Sequence, residues 1–244
     1  FPKAMVNPLS FFRSCMIVAL TLFLMLAGMI LVCPSPAWSG TIVLDPGHGG
    51  HDGGAGSGGE YAEKHFTLAL AQKIAGRLAA RHRVELTRTA DIGMTSADRA
   101  AVANHLRADL MISLHAAVAP YCGPRVAAVY YHNDERLKIP PEISIPSAGR
   151  PAWVSLQIRH QHQSQTLAST LKTVLTGTDV FESVTVYSAP LAPLLGADLP
   201  AVLVEVGCFH PTATLDAQAI ERQLTDYADA IAKAIETALP GLVP

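Results

Sequence analysis

Charge is scarce in this chain: Asp, Glu, Lys and Arg make up 16% of its 244 residues, against 50% hydrophobic. So little charge beside so much apolar material excludes a disordered chain and implies a sizeable buried core. The formal net charge is −2. The basic footprint of a nucleic-acid binder is therefore missing, and no nucleic-acid partner is expected. Several motifs are missing as well. There is no G-x-x-x-x-G-K-[ST] phosphate loop, no H-E-x-x-H helix and no G-x-S-x-G elbow. The run GAGSGG (54–59) fits G-x-G-x-x-G literally, but it stands well past the first strand. No acid lies between Lys64 and Glu85, where the dinucleotide fingerprint needs one. No internal repeat and no second mature domain are evident.

What is present begins with a leader. Lys3 and Arg13 are the only formal charges before Asp45. The apolar run Cys15 to Val32 follows, and Ala37 and Ser39 then stand like an A-x-A cleavage site. Residues 1–39 are expected to be a secretory signal peptide or, because the run is long, an uncleaved membrane anchor. Export to the periplasm or cell envelope follows. Cys33 is set aside as a lipid-attachment site because Val32 before it is bulky.

From residue 40 onward strands and helices alternate. Apolar runs at 41–45, 109–116, 125–132 and 200–207 predict buried strands, with further strands at 83–88 and 182–188. Helical spacing predicts helices at 63–81, 96–108, 153–175 and 214–239. Phe66, Leu70, Ile74 and Leu78 share one face of the first, and Ser96 is the expected N-cap of the second. Residues 134–151, with Pro140, Pro141, Pro146 and Pro151, read as a long loop. The alternation predicts a single α/β domain with a mostly parallel, twisted central sheet flanked by helices.

In such sheets ligands bind at the carboxyl ends of the strands. There the strands deliver Asp45 and His48, then His115, then Glu205, while Glu63 opens the first helix. Two His and one Glu suit catalytic zinc with a fourth position left for water, and Glu205 would remain as an acid/base group. Each residue also has a plainer reading. A strand-end His is often merely hydrogen-bonded, and Glu63 alone would complement the helix dipole. Glu205, ending the apolar run PAVLVEVG, needs a partner, a charge or a metal. The loop LDPGHGGHDGG (44–54) crowds five glycines around His48, His51 and Asp52. Gly47, Gly49 and Gly50 would permit a tight turn that aims His48. Asp45 would orient a ligand, and His51 would face solvent.

The segments IVLDPGHGGHDGGA, EKHFTLALAQKI, VELTRTAD, DRAAVANHLRADLMISLHA and LPAVLVEVGCF, in this order, resemble the zinc-dependent N-acetylmuramoyl-L-alanine amidases of the type-3 class. The resemblance covers roughly 41 to 238. It implies that residues 40–244 form a zinc amidase catalytic domain. It further implies that His48, Glu63 and His115 hold Zn2+ and that Glu205 is the catalytic carboxylate. The substrate implied is peptidoglycan, cleaved between the lactyl group of N-acetylmuramic acid and L-alanine of the stem peptide. A monomer is expected. Alternatives are a weak or inactive peptidoglycan-binding relative and a zinc peptidase acting within the stem peptide. Departures from the family pattern bear on affinity. Ala117 stands where Asn is usual, GCFHP follows Glu205 instead of the usual Gly-Phe pattern, and Ser188, Ala192 and Leu195 stand where Arg is common. Loop 134–151 reads either as a surface insertion or as a flank of the groove. Cys122 and Cys208 are expected to be two separate thiols, with a bridge between two site loops as the alternative.

Overall fold

The computed structural model describes residues 39–56, 62–118, 125–133, 153–209 and 217–242, together with Phe12 and residues 16–21. The chain divides into two units, Phe1–Ala37 and Trp38–Pro244. In the first, residues 16–21 are helical and expose Met16, Ile17, Val18 and Leu20. Among the described residues no helix is long and apolar enough to cross a membrane. Most of the leader, the end of the glycine-rich run at 57–61, loop 134–151, Cys122 and the side chain of Cys208 lie outside the described residues, and so do the expectations that concern them.

The second unit alternates strand and helix in the order β1 (Thr41–Pro46), α1 (Glu63–Leu78), β2 (Arg83–Leu86), α2 (Ser96–His105), β3 (Leu110–Val118), β4 (Val126–His132), α3 (Gln161–Thr176), β5 (Ser183–Ala189), β6 (Ala201–Phe209) and α4 (Ala217–Ala238). One six-stranded sheet runs β2-β1-β3-β6-β4-β5. All neighbours pair in parallel except β4 and β6. The mostly parallel α/β architecture is thus as the sequence predicts.

Strand alternation sorts side chains to two faces. Ile42 and Leu44, Leu110, Ile112 and Leu114, and Val202, Val204 and Val206 join one core with Phe66, Leu70, Ile74 and Leu78 of α1 and with apolar residues of α3 and α4. Val43, Met111, Ala201 and Leu203 face the other way. They meet Ala100 and Ala103 of α2 and Leu194 in a smaller cluster. Further along the same three strands, this second face changes character: Asp45, Ser113, His115 and Glu205 replace the apolar residues. The apolar second layer ends where the polar site begins.

Two helix starts differ from the sequence pattern. Ser96 is not the cap of α2; Thr95 is. Its hydroxyl accepts from the Asp98 amide at 3.1 Å while the Asp98 carboxylate accepts from the Thr95 amide at 3.2 Å. This reciprocal capping box outcompetes Ser96, which is the first helical residue. The helix expected from 153 starts at Gln161, preceded by 3-10 turns at Trp153–Ser155 and Gln157–His160. The reason is tertiary. Buried Gln157 donates to the carbonyls of Ala197 and Leu199, both at 3.0 Å, and accepts from Ser164 at 2.8 Å. The Trp153 ring lies against Gly196, where a Cβ would stand 2.0 Å from the indole nitrogen.

Candidate metal centre and its cavity

The loop after β1 is held at its backbone by two buried arginines. Arg88 donates to the carbonyls of Pro46 (3.0 Å), Gly47 (2.8 Å) and Lys64 (2.7 Å). Arg99 donates to the Pro46 carbonyl (2.8 Å) and the His48 carbonyl (2.7 Å). Three consecutive carbonyls are therefore fixed by guanidinium groups. That grip matters because His48 has φ 62, a left-handed conformation that costs a non-glycine residue about 1–2 kcal/mol. Such strain persists only where surrounding bonds over-determine it, as the two guanidinium groups do here.

The glycines explain the closeness of the packing. A Cβ at Gly47 would stand 2.5 Å from the His115 ring. Gly54, at φ 67, would put a Cβ 2.6 Å from both Glu63 Oε2 and the His48 ring. Gly49 and Gly50, at φ 127 and 62, make the bend itself as the sequence suggests, while Gly47 and Gly54 let the two imidazoles and the carboxylate approach.

His48, Glu63 and His115 come together. His48 Nε2 lies 3.1 Å from Glu63 Oε2, and His115 Nδ1 lies 3.0 Å from Glu63 Oε1. The two rings stand edge to face, centroids 4.9 Å apart at 82°. One ligand atom from each residue lies within 4.8 Å of the others. Glu63, at the N-terminus of α1, is 4% exposed. Backbone amides of Ala55 (2.8 Å) and Ala116 (3.0 Å) donate to its two oxygens. The Ala116 amide is turned toward Glu63 where the β3–β6 register shifts between His115 and Ala117. Burial would push the Glu63 carboxyl up. Hydrogen bonds from His115, His48 and the two amides overrule it and hold Glu63 well below the usual carboxylate range. Its hydrogen bond with Glu63 raises His48 in turn.

Glu205 stands opposite His115 in the β3–β6 register, and both line a cavity of about 360 Å3 with His48, Glu63, Tyr130, Leu191 and Leu203. Tyr130 donates its hydroxyl to Glu205 Oε2 at 3.3 Å. Burial, with the Glu205 charge beside it, pushes the phenol up to about 12, so it stays a donor. All four residues singled out from the sequence therefore reach one cavity.

Asp45 does something other than the sequence pattern suggests. It does not touch a site imidazole. It accepts from Thr87 (2.6 Å), Arg99 (2.7 Å) and Ser113 (2.7 Å), so it holds the arginine that holds the loop. The carboxylate that meets a site imidazole at its far nitrogen is Asp52, whose Oδ2 lies 2.8 Å from His48 Nδ1. His51 is exposed. Lys64 adds a second tie, donating to the Gly50 carbonyl at 2.8 Å and to Asp91 at 2.6 Å. Sequence reasoning passes over Asp52, Arg88, Arg99 and Tyr130. Arg88 and Arg99 carried no local signal: Arg88 follows a strand that also holds Arg83 and Glu85, and Arg99 follows the exposed Asp98 at the start of α2. Tyr130 carried none, because its neighbour strand is not readable from sequence.

Comparison with known proteins places this geometry. A family model described as N-acetylmuramoyl-L-alanine amidase matches residues 42–237. The amidase AmiC of Neisseria meningitidis is 39% identical over 93 residues, covering 38% of this chain and 22% of that protein. An endolysin of Bacillus phage SPP1 is 40% identical over 79 residues, 32% of this chain and 29% of that protein. The matches thus span less than a third of either relative. Among solved structures, the amidase AmiC2 of Nostoc punctiforme superposes with a TM-score of 0.59 at 26% identity, covering 82% of this chain and 97% of that one. Ami1 from Mycobacterium smegmatis gives 0.59 at 24% identity, over 85% and 100%; that likeness speaks to the fold.

Proposed function

The chain belongs to the N-acetylmuramoyl-L-alanine amidase family, and from that premise we propose that it is an exported, zinc-dependent hydrolase. Its proposed substrate is peptidoglycan, cut at the amide between the lactyl group of N-acetylmuramic acid and L-alanine of the stem peptide. The observation that carries this is the convergence of His48, Glu63 and His115, ligand atoms within 4.8 Å, in a cavity that Glu205 also lines. Two imidazoles and one carboxylate match the donor set of a catalytic zinc with an open fourth position. When bound there, zinc supplies Lewis acidity at the scissile carbonyl and lowers the pKa of water toward neutrality.

The remaining chemistry belongs to side chains. Glu205 accepts the proton of the attacking water and delivers it to the departing amine of L-alanine. Tyr130 occupies one oxygen of that carboxylate, which fixes its plane and leaves the other oxygen for the water. Asp52 at Nδ1 of His48 fixes the ring so that Nε2 faces Glu63 and the cavity. Leu191 and Leu203 form an apolar wall that limits water around the reacting amide.

Digesting purified sacculi with the zinc-loaded protein and identifying the new ends tests the proposal. The expected product is a free L-alanine amine with intact muramic acid. New ends within the stem peptide would instead make it a zinc peptidase. Binding to sacculi with no new ends would make it a wall-binding relative without turnover.

A further inference from the structure

We propose that Tyr187 and Tyr130 form a platform on which a pyranose ring of the substrate lies, next to the amide to be cleaved; this rests on the hydrolase reading above. The two tyrosines are register partners on the parallel β4–β5 pair, so their side chains leave one face of the sheet. It is the face of Glu205 and Leu203, because Tyr130 stands opposite Leu203 in the antiparallel β4–β6 pair. Tyr130 joins platform to cavity. Its hydroxyl reaches Glu205 at 3.3 Å, and its ring stacks on Tyr187 with centroids 5.3 Å apart and planes at 27°. Tyr187 is the outer member, 49% exposed.

Sheet stability alone is a weak reason for that exposure. A cross-strand aromatic pair contributes only about 0.2–1 kcal/mol. A large ring left half in water on the outermost strand runs against the way such strands are usually blunted, with charge or proline. A ligand gives the ring a use, and the chemistry selects the class. A pyranose offers a face of C–H groups that can lie flat on an aromatic ring while its hydroxyls stay in water. Distance agrees: in the proposed substrate only the short lactyl group separates the muramic acid ring from the amide, so a sugar ring must lie close to Glu205. Tyr130 and Tyr187 extend outward from that point.

The test uses the full zinc-loaded chain and two amides, one a muramoyl peptide and one a lactoyl peptide without sugar. In Tyr187→Ala the ratio of KM for the sugar-bearing substrate to KM for the sugar-free one is expected to rise about fivefold. Tyr187→Trp, which keeps an aromatic face, is expected to hold the ratio near that of the unsubstituted protein. An unchanged ratio in Tyr187→Ala overturns the platform, and so does the same rise in Tyr187→Trp. If the unsubstituted protein leaves both amides intact, the hydrolase reading fails and takes the platform with it.

Discussion

Asp45 and Glu63 lie at the same edge of the sheet, 1% and 4% exposed, and their partners differ in kind. Asp45 is met by two hydroxyls and a guanidinium, none of which leads to the cavity. Its two oxygens accept these three bonds, one of them from Arg99, and Arg99 in turn holds the backbone. Glu63 is met by two imidazoles and two amides, and both imidazoles line the cavity with it. The first carboxylate closes a network; the second opens one toward a ligand. Burial and charge alone do not separate a structural acid from a functional one. What separates them is whether the partners themselves can still bind something.

The open centre is broken by His115→Ala. The variant is expected to lose both zinc and turnover, read by metal analysis of the purified protein and by release of new amines from sacculi. The fold should persist, because the apolar core under α1, α3 and α4 is untouched. Stoichiometric zinc in that variant would remove His115 from the ligand set. Glu205→Gln sharpens the distinction within the cavity. It should retain full zinc and lose about 10²- to 10⁴-fold in turnover, the range for a positioned acid/base group. A near-normal rate would take Glu205 out of the mechanism.

Asp45→Ala breaks the closed centre. It leaves the Arg99 guanidinium buried without its carboxylate, so a stability loss of about 3–5 kcal/mol is expected in denaturant unfolding. Activity should fall along with the folded fraction, because the Pro46 and His48 carbonyls lose a firmly placed donor. A variant of unchanged stability would mean that Arg99 finds another anion, and would undo the contrast with Glu63.

The sequence made one side of this contrast easy to see. Apolar runs that end at or shortly before His48, His115 and Glu205 predict strands, and the α/β rule then places their ends together. The burial of Phe66, Leu70, Ile74 and Leu78 likewise follows from their spacing. The other side depends on contacts between distant residues. Asp45 reads as a helper of the ligands because it is adjacent in sequence; its partners Thr87, Arg99 and Ser113 are set by strand order, which no local pattern encodes. Tyr130 reaches Glu205 only because β4 inserts beside β6, antiparallel to it. Asp52, four residues from His48, was within reach of inspection, but nothing local ranks it above Asp45 until the loop's left-handed turn at His48 is known.

The smallest effect probes the closed centre from a distance. Arg99 sits in the first turn of α2, its amide bonded to the Thr95 carbonyl at 3.1 Å, so the helix start helps place the guanidinium. Thr95→Ala removes the hydroxyl that accepts from the Asp98 amide and should lower stability by about 1 kcal/mol, the usual value of an N-cap. Ser96→Ala removes no capping bond and should change stability by less than about 0.5 kcal/mol. Neither site touches the cavity, so zinc content and KM should match the unsubstituted protein in both variants. Paired unfolding curves decide it. A larger loss in Ser96→Ala than in Thr95→Ala would return the cap to Ser96 and move the start of α2. A loss of zinc in Thr95→Ala would show that the closed centre and the open one are coupled through Arg99 and the His48 carbonyl.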